Sequence, residues 1–228
     1  MLQLQEAMAN SLNIPAVKVE LGVGVASVVK LARSMGAPPW QLHYDSRGNP
    51  VYTNNDRLNT YGPSLTLGGY GETPLQMATG ASVLAAKGVL HPPFAIAKVV
   101  RNGAVLFNHS AGAGARKVLD PRVAFIMGQI MSDDTNRRMI FGMGSILTLA
   151  GHRVAVKTGT TDQFADAWTI GFTPHIVTAA WVGNPDWPPK MTEGSDSFYT
   201  AAPVWPNLMP DPVPTLPRHI PRFKAPHG

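Results

Sequence analysis

The run Arg153-Val154-Ala155-Val156-Lys157-Thr158-Gly159-Thr160-Thr161 is followed by Ala165-Asp166-Ala167-Trp168-Thr169-Ile170-Gly171-Phe172 and then by Ile176-Val177-Thr178-Ala179-Ala180-Trp181-Val182-Gly183. Together these segments decide the fold. Each is rich in β-branched and aromatic residues, and short turns separate them, so they are read as three strands of an antiparallel meander. Trp168, Ile170 and Phe172 alternate onto one face of it.

Working outward, the segments before the meander read mainly as helices. Residues 2–10 form a short helix ending near Asn10, and residues 26–35 place Val28, Leu31, Ala32 and Met35 on one face before Gly36 as a stop. Residues 37–72 are rich in Pro, Gly, Asn and Tyr without a sustained period, which predicts a long surface excursion. Thr73-Pro74-Leu75-Gln76 is a capping box with proline at the first helical position; Met77, Ala81, Leu84 and Ala85 follow on one face, with Gly88 as the stop. Phe94 to Val100 and Val105 to Asn108 form a hairpin through Asn102-Gly103. Asp120-Pro121 opens another helix, with Val123, Ile126, Met127 and Ile130 expected inward. The fold class is therefore α/β of the α+β type, a two-layer arrangement with an antiparallel sheet flanked by helices.

At 228 residues and 44% hydrophobic composition the chain has enough material for a core, while 14% charged residues with 22 glycines and 21 prolines exclude a coiled coil. A net charge of +5 permits an anionic partner, but the basic residues are scattered and no aromatic-flanked basic stripe exists, so no nucleic-acid partner is expected. Cysteine is absent and the seven histidines show no metal-ligand spacing, which argues against a disulfide framework and a metal site. Gly22-x-Gly24, Gly69-x-Gly71 and Gly112-x-Gly114 lack the third glycine of a nucleotide fingerprint, and no cofactor is expected. No apolar run is long enough for a membrane span. Eleven of the 21 prolines fall after Asn184, and residues 210–228 read as a proline-rich tail or linker.

Two short motifs carry chemistry. In Lys157-Thr158-Gly159-Thr160-Thr161 an ammonium and hydroxyls at a strand edge suit a carboxylate, and the glycine lets a second backbone lie alongside; a sheet strand ending in a polar turn would also look like this. Ser11-Leu12-Asn13 at a helix end is by itself compatible with simple capping. In this order, Ser-x-Asn and Lys-Thr-Gly match two of the three motifs of serine penicillin-binding proteins and β-lactamases.

The wider sequence resembles one family. Asn10-Ser11-Leu12-Asn13-Ile14-Pro15-Ala16-Val17, Glu72-Thr73-Pro74-Leu75-Gln76-Met77-Ala78, Lys157 to Thr161, Asp166-Ala167-Trp168, Gly171-Phe172-Thr173-Pro174, Trp181-Val182-Gly183-Asn184 and Thr200-Ala201-Ala202-Pro203-Val204-Trp205 are similar to successive landmarks of the transpeptidase domain of class A penicillin-binding proteins. The resemblance covers residues 1–209 and implies a penicillin-binding protein/β-lactamase-like fold. It implies an enzyme that cross-links peptidoglycan through an acyl-enzyme on a serine, with D-Ala-D-Ala stem peptides and β-lactams as partners, on the extracytoplasmic face of the bacterial membrane. On that resemblance Lys157 supplies positive potential, Thr158 and Thr160 lie near the substrate carboxylate within a substrate-binding run that also includes Gly159 and Thr161, Ser11 relays a proton and Asn13 holds a substrate amide.

One departure qualifies the match. The nucleophile motif Ser-x-x-Lys belongs upstream of Ser-x-Asn, yet none of the ten residues before Ser11 is a serine. Ser27-Val28-Val29-Lys30 has the spacing but follows Ser-x-Asn, the wrong order. The expectation is an incomplete domain: the later two-thirds of a D,D-transpeptidase, inactive alone, whose membrane anchor belongs to a longer parent. The alternatives are a non-catalytic D-Ala-D-Ala binding module and a carboxypeptidase or β-lactamase-like hydrolase of the same fold.

Overall fold

The structure, a computed structural model, describes residues 2–185 and 190–209. It opens with three helices, α1 (Leu4–Ala9), α2 (Asn13–Val23) and α3 (Val25–Ser34). α1 ends at Asn10 as expected. α2 has no counterpart in the sequence reading, and the reason is visible in its burial: Ile14, Val19, Leu21 and Val23 are all exposed, so its apolar residues form no stripe of period 3.6. Pro15 sits in its first turn, where a missing N–H leaves no helical bond unmade. In α3 the inward face is rotated from the expected one. Val29 is fully buried and Leu31 is exposed, because the helix packs on α2 and on a 3₁₀ turn at Leu58–Thr60.

The excursion over 37–72 is mostly exposed but contains a hairpin of β1 (Gln41–Tyr44) and β2 (Pro50–Thr53) and a second 3₁₀ turn, Pro63–Leu67. It is pinned by the buried Tyr61, whose hydroxyl donates to the Pro39 carbonyl at 2.9 Å. α4 (Pro74–Ala85) starts at the expected box: the Gln76 N–H donates to the Thr73 hydroxyl and the Thr73 N–H to the Gln76 side chain. There follow β3 (Val89–Leu90), β4 (Lys98–Arg101), β5 (Ala104–Asn108) and β6 (Arg116–Lys117). β4 and β5 turn through Asn102 and Gly103, both at positive φ, as a two-residue hairpin requires.

Asp120 caps α5 (Pro121–Ser132), which leads into α6 (Asp134–Phe141). The expected face of α5 is corrected. Ala124, Gly128 and Met131 are buried, whereas Val123 and Ile126 are exposed. Two small side chains one turn apart let α5 approach α4 and the sheet closely, and that approach fixes its rotation.

The meander is β7 (Ala155–Thr160), β8 (Asp166–Phe172) and β9 (Val177–Gly183), all antiparallel in the order β7-β8-β9. Helices cover both faces. On one, Ala155 and Phe172 pack with Met131, Ala81, Leu84 and Ala85 from α5 and α4. On the other, Val154, Val156, Ala167 and Ala180 pack with Ala201, Ala202, Trp205 and Met209 from α7 (Ala201–Val204) and the 3₁₀ turn after it. The expected alternation of Trp168, Ile170 and Phe172 holds, but the opposite face of β8, with Ala167, Thr169 and Gly171, is at least as deeply buried. This second cover adds a layer to the two read from sequence. The 210–228 tail lies outside the described residues.

Candidate active site

The site is assembled where the α1–α2 corner meets β7. Asn10 builds the corner: buried at 3% exposure, it donates from Nδ2 to the Glu6 and Asn136 carbonyls and accepts from the Ile140 N–H. With both its amide groups satisfied, Asn10 clamps the corner to α6. Ser11 then takes φ 59°, a left-handed conformation that costs a non-glycine residue about 1 kcal/mol. Its hydroxyl faces β7, and Lys157 Nζ donates to Ser11 Oγ at 2.7 Å and to the Thr158 carbonyl at 2.6 Å. Burial pushes the Lys157 ammonium down to about 8, an effect partly opposed by the Asp196 carboxylate.

The other expected residues separate. Asn13 is exposed on the first turn of α2 and makes no hydrogen bond to β7 among the described residues. Thr158 is buried within β7. Thr161 closes the β7–β8 turn: its hydroxyl donates to Asp166 Oδ2 at 3.0 Å and accepts from the Asp166 N–H at 2.8 Å. Gly68 lies against it; that residue has φ 86°, and a Cβ there would come within 2.8 Å of the Thr161 methyl. The Pro63–Leu67 turn is thereby a wall beside the end of β7, held from behind by Thr66, which donates to the buried Glu20 carboxylate at 2.6 Å.

Gly159 has a different status. A Cβ there would meet nothing closer than the Trp168 Cβ at 3.8 Å, so internal packing does not demand glycine. Among the described residues no strand pairs with the outer edge of β7. A bare glycine on an open edge leaves room for an extended ligand to add as a strand.

Thr160 brings in residues that sequence reading passed over. Its hydroxyl lies 3.2 Å from Asp196 Oδ2 and 3.0 Å from Ser197 Oγ, and it accepts from the Ser197 N–H at 3.0 Å. The signal was present in Gly194-Ser195-Asp196-Ser197, a cluster of turn formers within the proline-rich stretch after Asn184.

Comparison with known proteins identifies the family. The penicillin binding protein transpeptidase domain matches residues 1–209. The chain belongs to that family. It is 31% identical over 212 residues to penicillin-binding protein 1A of Neisseria lactamica, covering 91% of this chain and 24% of that protein, so it spans about a quarter of the length of such relatives. In fold it is similar to the penicillin-binding protein PonA1 of Mycobacterium tuberculosis, with a TM-score of 0.76 at 24% identity over 99% of this chain and 60% of that one. The same protein in complex with penicillin V gives a TM-score of 0.68 at 24% identity, covering 98% of this chain and 60% of that one.

Proposed function

We propose that residues 1–209 supply the carboxylate-recognition wall and the proton relay of a peptidoglycan D,D-transpeptidase whose acylated serine lies outside these 228 residues. The observation that supports this most is the 2.7 Å hydrogen bond from Lys157 to Ser11, across 146 residues of sequence, beside an open strand edge bearing Gly159. A stem peptide ending in D-Ala-D-Ala lies along β7, its terminal carboxylate drawn by the Lys157 charge and the Thr158 and Thr160 hydroxyls. The serine oxygen bonds to the penultimate carbonyl carbon, and the C–N bond to the terminal D-alanine breaks. The proton lost by the serine reaches the leaving amine through the Ser11 and Lys157 pair, and the Thr160 N–H steadies the oxyanion. Asn13 holds a substrate amide once the ligand bridges to α2. An acceptor amine then takes the acyl group and frees the serine. β-Lactams enter the same site, and the parent works outside the cytoplasmic membrane on an anchor that these residues do not supply.

Fluorescent penicillin tests the reading. The isolated chain should take no covalent label, whereas the gene product with its upstream Ser-x-x-Lys should, and Lys157→Ala should cut its acylation by at least ~100-fold. Labelling of the intact protein should weaken as pH rises through about 8, where Lys157 loses its charge. Label on Ser27, or equal losses from Ser27→Ala and Lys157→Ala, would overturn the assignment.

A further inference from the structure

The Thr160 hydroxyl is already occupied. It has one proton to give, the acceptors in reach are Asp196 Oδ2 and Ser197 Oγ, and its own lone pair takes the Ser197 N–H. Asp196 is not a loose surface acid. Its Oδ1 accepts from the Phe198 N–H at 2.8 Å, and its carbonyl accepts from the Thr200 N–H and, at 2.9 Å, from the Thr200 hydroxyl. The turn built on those bonds leads into α7 and the 3₁₀ turn after it, where Ala201, Ala202 and Trp205 are fully buried. The carboxylate is thus fixed in place at the strand position where the proposed reading seats the carboxylate of a ligand.

We propose that Asp196 is a specificity-determining residue of the site: its charge competes with an anionic ligand terminus for Thr160, and the ligand must displace it to bind. The inference rests on the reading of β7 as a carboxylate-recognition strand. Two like charges at one hydroxyl repel, so Asp196 weakens the preference that Lys157 gives the site for a free carboxylate over a neutral terminus of the same shape. Asp196 also has a favourable side, since its charge helps keep the buried Lys157 ammonium protonated. At about pH 6, below the value of about 8, Lys157 is charged in the native site, and the competition between Asp196 and the ligand terminus is read there.

The test is a titration of the chain co-expressed with the family segment that precedes Ser-x-Asn, at about pH 6, with N-acetyl-D-Ala-D-Ala and with its C-terminal amide, followed through the Thr160 and Ser197 amide resonances. Asp196→Asn keeps the acceptor for the Phe198 N–H and removes the charge; it should tighten the acid by about tenfold and leave the amide unchanged. Asp196→Ser, which also retains an acceptor, should do the same, and guards against a folding defect in the first variant. An Asp196 that is merely a turn cap predicts equal effects on both ligands, or none. If Lys157→Ala weakens acid binding while both Asp196 variants leave the preference for acid over amide unchanged, the inference falls and the functional reading stands. If the acid does not bind at β7 in any of these proteins, both fall together.

Discussion

Glu72 and Lys157 are both moved by burial to about the same point on the pH scale, and the consequences for stability are opposite in sign. Glu72 rises to about 8 because burial disfavours its charge, and its Oε2 finds no hydrogen-bond partner among the described residues. Between pH 4.5 and 8 the folded chain therefore holds a proton that the unfolded chain has lost, and stability falls as pH rises through that window. For Lys157 the folded value lies below the unfolded one, so stability rises between pH 8 and 10.5. Glu72→Gln should flatten the acidic-to-neutral slope and, relative to its effect at low pH, gain about 2 kcal/mol above pH 8, allowing for partial solvent access. Urea unfolding of both proteins at intervals from pH 4 to 9 reads this directly; parallel curves would show that Glu72 is solvated after all. At this scale Ser11 and Lys157 were legible as separate candidates because their motifs are short and ordered, while the hydrogen bond between them came only with the fold. The lock of Asp196 onto Thr160 was not, because it depends on how a turn 36 residues away is folded back onto the strand.

Elements whose signal is local were readable, and those set by neighbours were not. The capping box of α4 and the Asn102-Gly103 hairpin are decided within four residues, so their sequences suffice. The buried faces of α3 and α5 are chosen by what packs on them, and the apolar residues of α2 surround the helix without a stripe. The junction of α7 with the sheet shows the same dependence. Gly171 in β8 looks like a weak spot in a strand, yet a Cβ there would stand 2.3 Å from the ring of Trp205, which has no exposed surface. The glycine is a socket for that indole. Gly171→Ala should displace Trp205 and cost about 3 kcal/mol, the upper range for overpacking. Gly159→Ala, with 3.8 Å of clearance, should be tolerated in stability while impairing ligand addition along β7. Thermal unfolding of the pair checks both, and equal destabilisation would mean that the indole yields without cost.

In the whole molecule the sheet is covered on both faces, and among the described residues neither of its edges is paired. β9 pairs only with β8 among the described residues, and Val177-Thr178-Ala179-Ala180-Trp181-Val182-Gly183 carries no charge to discourage another strand. Apolar side chains are also exposed on the helices: Ile14, Leu21 and Val23 on α2, and Val123 and Ile126 on α5. An uncharged edge recruits strands from other chains, and apolar surface on that scale marks sites that are covered by something else. The relatives are about four times as long, so they have residues to spare for such a cover. The isolated 228-residue chain should therefore bind a hydrophobic dye, self-associate with rising concentration and unfold over a broad transition. Lysine in place of Ala179, at the middle of β9, should reduce the self-association selectively if the edge is the route, while leaving the dye response of the helical surfaces. Co-expression with the family segment that precedes Ser-x-Asn should suppress all three behaviours. Sedimentation velocity and dye fluorescence, run together over a concentration series, decide it: a dye-silent monomer with a sharp, reversible transition would mean that the β9 edge and these helix faces are stable in water as they stand.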